Sequence, residues 1–132
     1  MNYPLKRTAP FEDNLDLLDE SGNVVKTIRL SLDLESIMGR YTTAVGRLVQ
    51  AGEAVDPRNA ASMSMYGGCV VELLKVIFGD DTDAILAYYE GRYMDLLEQV
   101  LPYIYRRIGQ QIQAIPQGRI DAMKEARRAE TV

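Results

Sequence analysis

"VVKTIRLSLDLESIMGRYTTAVGRLVQ", residues 24–50, changes its hydrophobic period halfway along. Up to Leu32 the apolar positions alternate, with Ile28, Leu30 and Leu32 on one side, as in a strand that has one covered face. From Asp33 the step becomes three and four. Leu34, Ile37, Met38, Tyr41, Val45, Leu48 and Val49 recur together, while Glu35, Arg40, Arg47 and Gln50 fall opposite. A strand therefore passes into an amphipathic helix. Asp33 or its competitor Ser31 is the N-cap, and Gly52 is the stop.

Working outward toward the N-terminus, "NLDLLD" (14–19) and "VVKTIRL" (24–30) flank "ESGN" (20–23), whose Ser21, Gly22 and Asn23 tolerate the dihedrals of a tight turn. This predicts a β-hairpin. One hairpin is marginal in water, so its apolar face needs helices or another copy of the chain as cover. Residues 1–13 carry two prolines and no period, and read as a flexible N-terminal arm.

Toward the C-terminus, Asp56 and Pro57 suggest the cap and first position of a second helix running to Phe78, before Gly79. Between Cys69 and Phe78 only Glu72 and Lys75 are polar, so this helix is expected at the centre of a bundle, covered from several sides. "GDDTD" (79–83) caps a short helix, "AILAYYE" (84–90), which Gly91 ends or bends. A last long helix starts near Arg92 with a stripe of Leu97, Leu101, Ile104, Ile108, Ile112 and Ile115. Pro102 lies inside it and predicts a kink or break near 100–102, because it deletes a backbone hydrogen bond. Pro116 and Gly118 close the pattern, which leaves 117–132 as a charged C-terminal helix or tail. The fold class is mainly α: a four- to five-helix domain with an N-terminal β-hairpin, its body spanning 14–116.

Composition bounds the function. The chain has 132 residues, is 47% hydrophobic and 26% charged, and so can fold as one ordinary domain. Its net charge of −4 opposes nucleic-acid binding, although basic residues gather after Pro102. The start lacks a signal-peptide core, and no uninterrupted apolar run reaches the ~18 residues that span a bilayer, so neither secretion nor a membrane span is expected. The single cysteine, Cys69, cannot form an internal disulfide and reads as a small buried hydrophobe. Histidine is absent, removing the commonest general base and transition-metal ligand. No phosphate-binding glycine loop occurs, and close helix packing explains Gly67-Gly68.

Asp80, Asp81 and Asp83 lack the further ligands of a calcium loop and fit a helix start. Glu90, Asp95 and Glu98 read as a solvated face, and Arg106-Arg107 and Arg127-Arg128 as snorkelling or ion-paired side chains. Neither an enzyme nor a metal or cofactor site is expected. Five of eight tyrosines, Tyr88, Tyr89, Tyr93, Tyr103 and Tyr105, cluster together. Tyrosine offers large contact area at low entropy cost, so the cluster is either the outer seal of a helical core or a surface covered part of the time. Met38, Met63, Met65, Met94 and Met123 are adaptable packing, or a promiscuous groove if several are exposed on one face.

The stretch "LLKVIFGDDTDAILAYYEGRYMDLLEQVLPYI" (73–104), together with the hairpin and first helix, resembles the tail assembly chaperones of long-tailed, siphovirus-like bacteriophages and prophages of Gram-positive bacteria. The likeness rests on Ile77, Phe78 and Gly79, the acids Asp80 and Asp81, then Tyr88, Tyr89, Glu90, Gly91, Tyr93, Met94, Leu97, Val100, Leu101, Pro102 and Ile104, and it extends over about residues 12–115. What the resemblance implies is a small non-enzymatic helical protein of the host bacterial cytoplasm, absent from the mature virion. Such a protein binds and solubilises the tape measure protein during tail morphogenesis and yields it as the major tail protein polymerises. A homo-oligomer is expected, with no nucleic acid and no membrane as partner. The expected partner-binding or self-association groove comprises Tyr89, Tyr93, Leu97, Leu101 and Tyr105. The alternatives are a structural virion protein, such as a head-tail connector or minor tail component, and a bacterial helical adaptor unrelated to phage.

Overall fold

A computed structural model describes residues 2–130, and the side chains of these other than 116–121 and 129–130. The fold is mainly α with an N-terminal two-stranded antiparallel hairpin. The chain divides into two compact units, Met1–Tyr88 and Tyr89–Val132, a division inside the span that the sequence assigns to one domain. Two consecutive residues with left-handed backbone, Glu90 (φ 50°) and Gly91 (φ 82°), interrupt the helical run at that point.

In the first unit, strands β1 (Phe11–Leu18) and β2 (Val24–Leu32) pair from Phe11↔Leu32 to Leu17↔Lys26, with an irregularity at Leu17/Leu18. β1 starts three residues earlier than its sequence suggests. Pairing directly opposite residues puts Phe11, Leu15, Ile28, Leu30 and Leu32 on one face. Ile28 and Leu30 are buried there, and Phe11, Leu15 and Leu32 are half-buried. Each fully buried aliphatic side chain contributes about 1.5–3 kcal/mol. Asp19 organises the turn: its Oδ1 accepts from the backbone N–H groups of Ser21 and Asn23, both at 2.9 Å, while Gly22 (φ 86°) supplies the left-handed residue.

Helix α1 (Leu34–Glu53) starts where expected, with Asp33 Oδ1 accepting from Ser36 N at 3.2 Å. It buries Ile37, Tyr41, Ala44, Leu48 and Ala51. Helix α2 (Ala60–Phe78) starts later than Asp56-Pro57 implies. Asn59 is its cap, accepting from Ala61 N (3.0 Å) and Ser62 N (3.2 Å), while Asp56 belongs to the preceding turn and accepts from Arg58 N at 3.0 Å. α1 and α2 run antiparallel, since Gly52 lies beside the Tyr66 ring and Arg47 forms an ion pair with Glu72.

After a tight turn at Gly79–Asp81, α3 (Thr82–Tyr89) begins. Asp80, Asp81 and Asp83 occupy this turn and the first turn of α3, where carboxylates complement the helix dipole. Buried Thr82 satisfies its hydroxyl by donating to the Leu74 carbonyl at 3.2 Å. Tyr88 donates to the Leu18 carbonyl, which ties α3 to the end of β1.

The second unit comprises α4 (Tyr93–Tyr103), a π-helical turn (Ile104–Gly109) and α5 (Gln110–Glu130). The predicted kink near Pro102 takes the form of this wide turn, which begins two residues after the proline. Leu96, Val100, Ile104, Ile108 and Ile112 are buried, spaced four apart throughout. In a regular α-helix each such step would drift by about 40°. A π turn closes bonds to i+5 and advances less angle per residue, so it swings the stripe back. The helix also continues past Pro116 and Gly118, where the sequence suggests an end; residues 131–132 of the expected tail lie outside the described residues.

Candidate partner-binding surface

Sequence reasoning groups Tyr89, Tyr93, Leu97, Leu101 and Tyr105, and the structure separates them. Tyr89 is buried and donates its hydroxyl to Gln99 Oε1 at 2.9 Å, and Leu101 is buried as well. Leu97 is half-buried. Tyr93 is 60% exposed, and Tyr105 36%. Tyr93, Leu97 and Leu101 share one face of α4 at successive i, i+4 positions, graded from open to closed. Tyr105 lies twelve residues beyond Tyr93, about 120° further round by ideal helical geometry. The exposed part of the expected groove therefore contracts to Tyr93 and Leu97. Met94, at 66% exposure and one turn before Leu97, joins them. The sequence leaves Met94 as either adaptable packing or part of a groove, and its neighbourhood of tyrosines is the signal that favours the second.

Met63, Met65, Met94 and Met123 are exposed. Met63 and Met65 stand two positions apart on α2, and therefore on opposite sides of it.

The larger departure concerns α2. Its buried residues, Val70, Leu73, Leu74, Ile77 and Phe78, form one face of its C-terminal half, so it is not covered from several sides. Cys69, expected to be buried, is half-buried with a free thiol. Val71 and Val76 are half-buried, and Met65 is exposed. A methyl group on Gly67 or Gly68 would meet no atom within 4 Å, so the close packing expected at this pair does not occur among the described residues. Helices 60–89 are long and apolar enough, by length and composition, to cross a membrane, yet only 28% of their most apolar window is buried. Glu72 and Lys75, and the turn Gly79–Asp81 with its two acids, interrupt that stretch.

Two shallow, open depressions that share lining residues lie on this side of α2. One is lined by Arg40, Gly68, Val71, Glu72, Lys75 and Val76. Another, of about 440 Å³, shares Arg40, Lys75 and Val76 and reaches the end of β2 and the start of α1. Arg47 engages Glu72, and both side chains are substantially exposed, so the pair contributes little stability, about 0–1 kcal/mol. It does draw the Glu72 carboxylate toward α1.

Among the described residues, no group of three histidine, cysteine, aspartate or glutamate side chains could hold a metal, and every buried side-chain nitrogen or oxygen has a partner. Glu90, Asp95 and Glu98 are exposed. No family model, curated protein or solved structure matches the chain.

Proposed function

We propose that this protein is a phage tail assembly chaperone: a non-enzymatic protein that covers the apolar helices of the tape measure protein and keeps them soluble during tail morphogenesis. The observation that supports this most directly is the surplus apolar surface of α2, a helix that buries one face and leaves Met65, Val71 and Val76 incompletely covered. Tyr93, Met94 and Leu97 on α4 provide a second apolar surface. An elongated, apolar helical client requires such surfaces, held in amphipathic grooves from which it can later be displaced. The sequence resemblance over residues 73–104 names the client.

Co-expression with fragments of the tape measure protein tests this reading. The expected result is that fragments insoluble alone become soluble and co-purify with the chain, and that the chain is absent from purified virions. Fragments that stay insoluble would overturn the proposal. Stoichiometric recovery in virions would favour a structural tail or connector protein instead.

A further inference from the structure

We infer that α2 pairs, antiparallel, with α2 of a second copy of this chain, about a two-fold axis level with the junction of Leu73 and Leu74. Away from the buried residues of α2, Gly68, Glu72, Lys75 and the C-cap Gly79 stand at i, i+4, i+7 and i+11, on one helical face. Gly68, Lys75 and Gly79 are exposed, and the Glu72 side chain is 40% exposed. The four positions are symmetric about their midpoint. A two-fold axis there sets Glu72 of each copy against Lys75 of the other, and Gly68 against Gly79.

An isologous contact needs a surface that is complementary to itself, and this face is so in both charge and size. Arg47 engages Oε1 of Glu72, which leaves Oε2 to accept from the copy's Lys75, a side chain with no ion pair of its own among the described residues. A methyl group on Gly68 or Gly79 would meet no atom within 4 Å, so two backbones can approach closely at both ends of the contact. Half-buried Val71 and Val76 flank the face, where they would lie against the aliphatic stems of the copy's Lys75 and Glu72. The two depressions are lined by three cations, Arg29, Arg40 and Lys75, and three carboxylates, Asp33, Glu72 and Asp81. That balance favours no partner of one sign, whereas a copy brings the same balance with it. A bilayer would strand Glu72 and Lys75 in hydrocarbon.

The test is sedimentation velocity of the full chain from about 1 µM to 1 mM, the range in which weak dimers form. The expected result is a shift from monomer to dimer with concentration. Glu72→Lys and Lys75→Glu should each weaken the dimer at least about tenfold, because like charges then face each other twice. Mixing the two variants in equal amounts should restore it, since each then meets its opposite in the other copy. Arg47→Gln, which removes only the partner of Glu72 within the chain, should leave dimerisation intact. Gly68→Leu should abolish the dimer and leave a folded monomer by circular dichroism, because its space is open and leucine favours helix. It decides the matter if the charge variants fail to fold.

A wild type that stays monomeric throughout, or that floats with phosphatidylcholine vesicles in place of dimerising, would overturn the inference. So would a mixture of the two charge variants that stays monomeric, an Arg47→Gln change as damaging as Glu72→Lys, or a Gly68→Leu chain that dimerises as wild type does. The dimer is measured on the chain alone, so its failure leaves the chaperone reading standing, and failure to capture tape measure fragments leaves the dimer standing.

Discussion

Helices α1 and α2 each bury five residues, yet they present different exteriors. Away from its buried residues, α1 exposes Arg40, Thr43, Arg47 and Gln50, with Val49, 52% exposed, as the apolar exception. α2 shows Met65, Gly68, Val71 and Val76, with Glu72 engaged by Arg47. Equal burial on one side thus leaves α1 with one large exposed apolar side chain, Val49, and α2 with two, Met63 and Met65, beside half-buried Val71 and Val76. What separates them is the residues the fold does not need, and those are where an interaction is to be sought.

The strongest challenge to this comparison is to truncate both sealed faces. Leu48→Ala in α1 and Leu73→Ala in α2 should each cost about 2–5 kcal/mol in urea unfolding, because both side chains are buried and leave cavities. A much smaller loss at Leu73 would mean that α2 is not seated on its buried face. The two caps come next. Asp33→Ala and Asn59→Ala should each lower stability by about 1 kcal/mol, with Asn59 the larger because it accepts two backbone bonds and Asp33 one. Equal unfolding midpoints for wild type and Asn59→Ala would return the start of α2 to Asp56-Pro57. The smallest effect belongs to the link between the helices. A double-mutant cycle on Arg47 and Glu72 should give a coupling below about 1 kcal/mol that shrinks with added salt. A larger, salt-insensitive coupling would make the pair structural and not just a means of drawing aside a carboxylate.

How much of this could be read beforehand depended on whether the signal was local. The hairpin and α1 were legible because Ile28, Leu30 and Leu32 alternate and Asp33 marks the change of period. The start of α2 misled because Asp-Pro is a good opening pair by itself. The competing bonds to Asn59 come from Ala61 and Ser62, whose own preferences say nothing about a cap. Apolarity identified α2 as needing cover without saying how much this chain would supply. For the partner surface, the i, i+4 series Tyr93, Leu97, Leu101 was legible, but its gradient of exposure was not, since burial depends on tertiary neighbours. The division at Tyr88/Tyr89 hinges on Glu90, a residue that rarely takes positive φ and gives no compositional warning.

The wide turn at 104–109 also limits imitation of the second unit. A synthetic fragment cut from this region would lose the wide turn, since nothing in isolation sustains the rarer winding and short helices are marginal in water. Its isoleucines would then spiral out of alignment, making the excised segment a poor mimic of the intact one. Competitors designed against either face of this rod will have to carry the change of pitch within them.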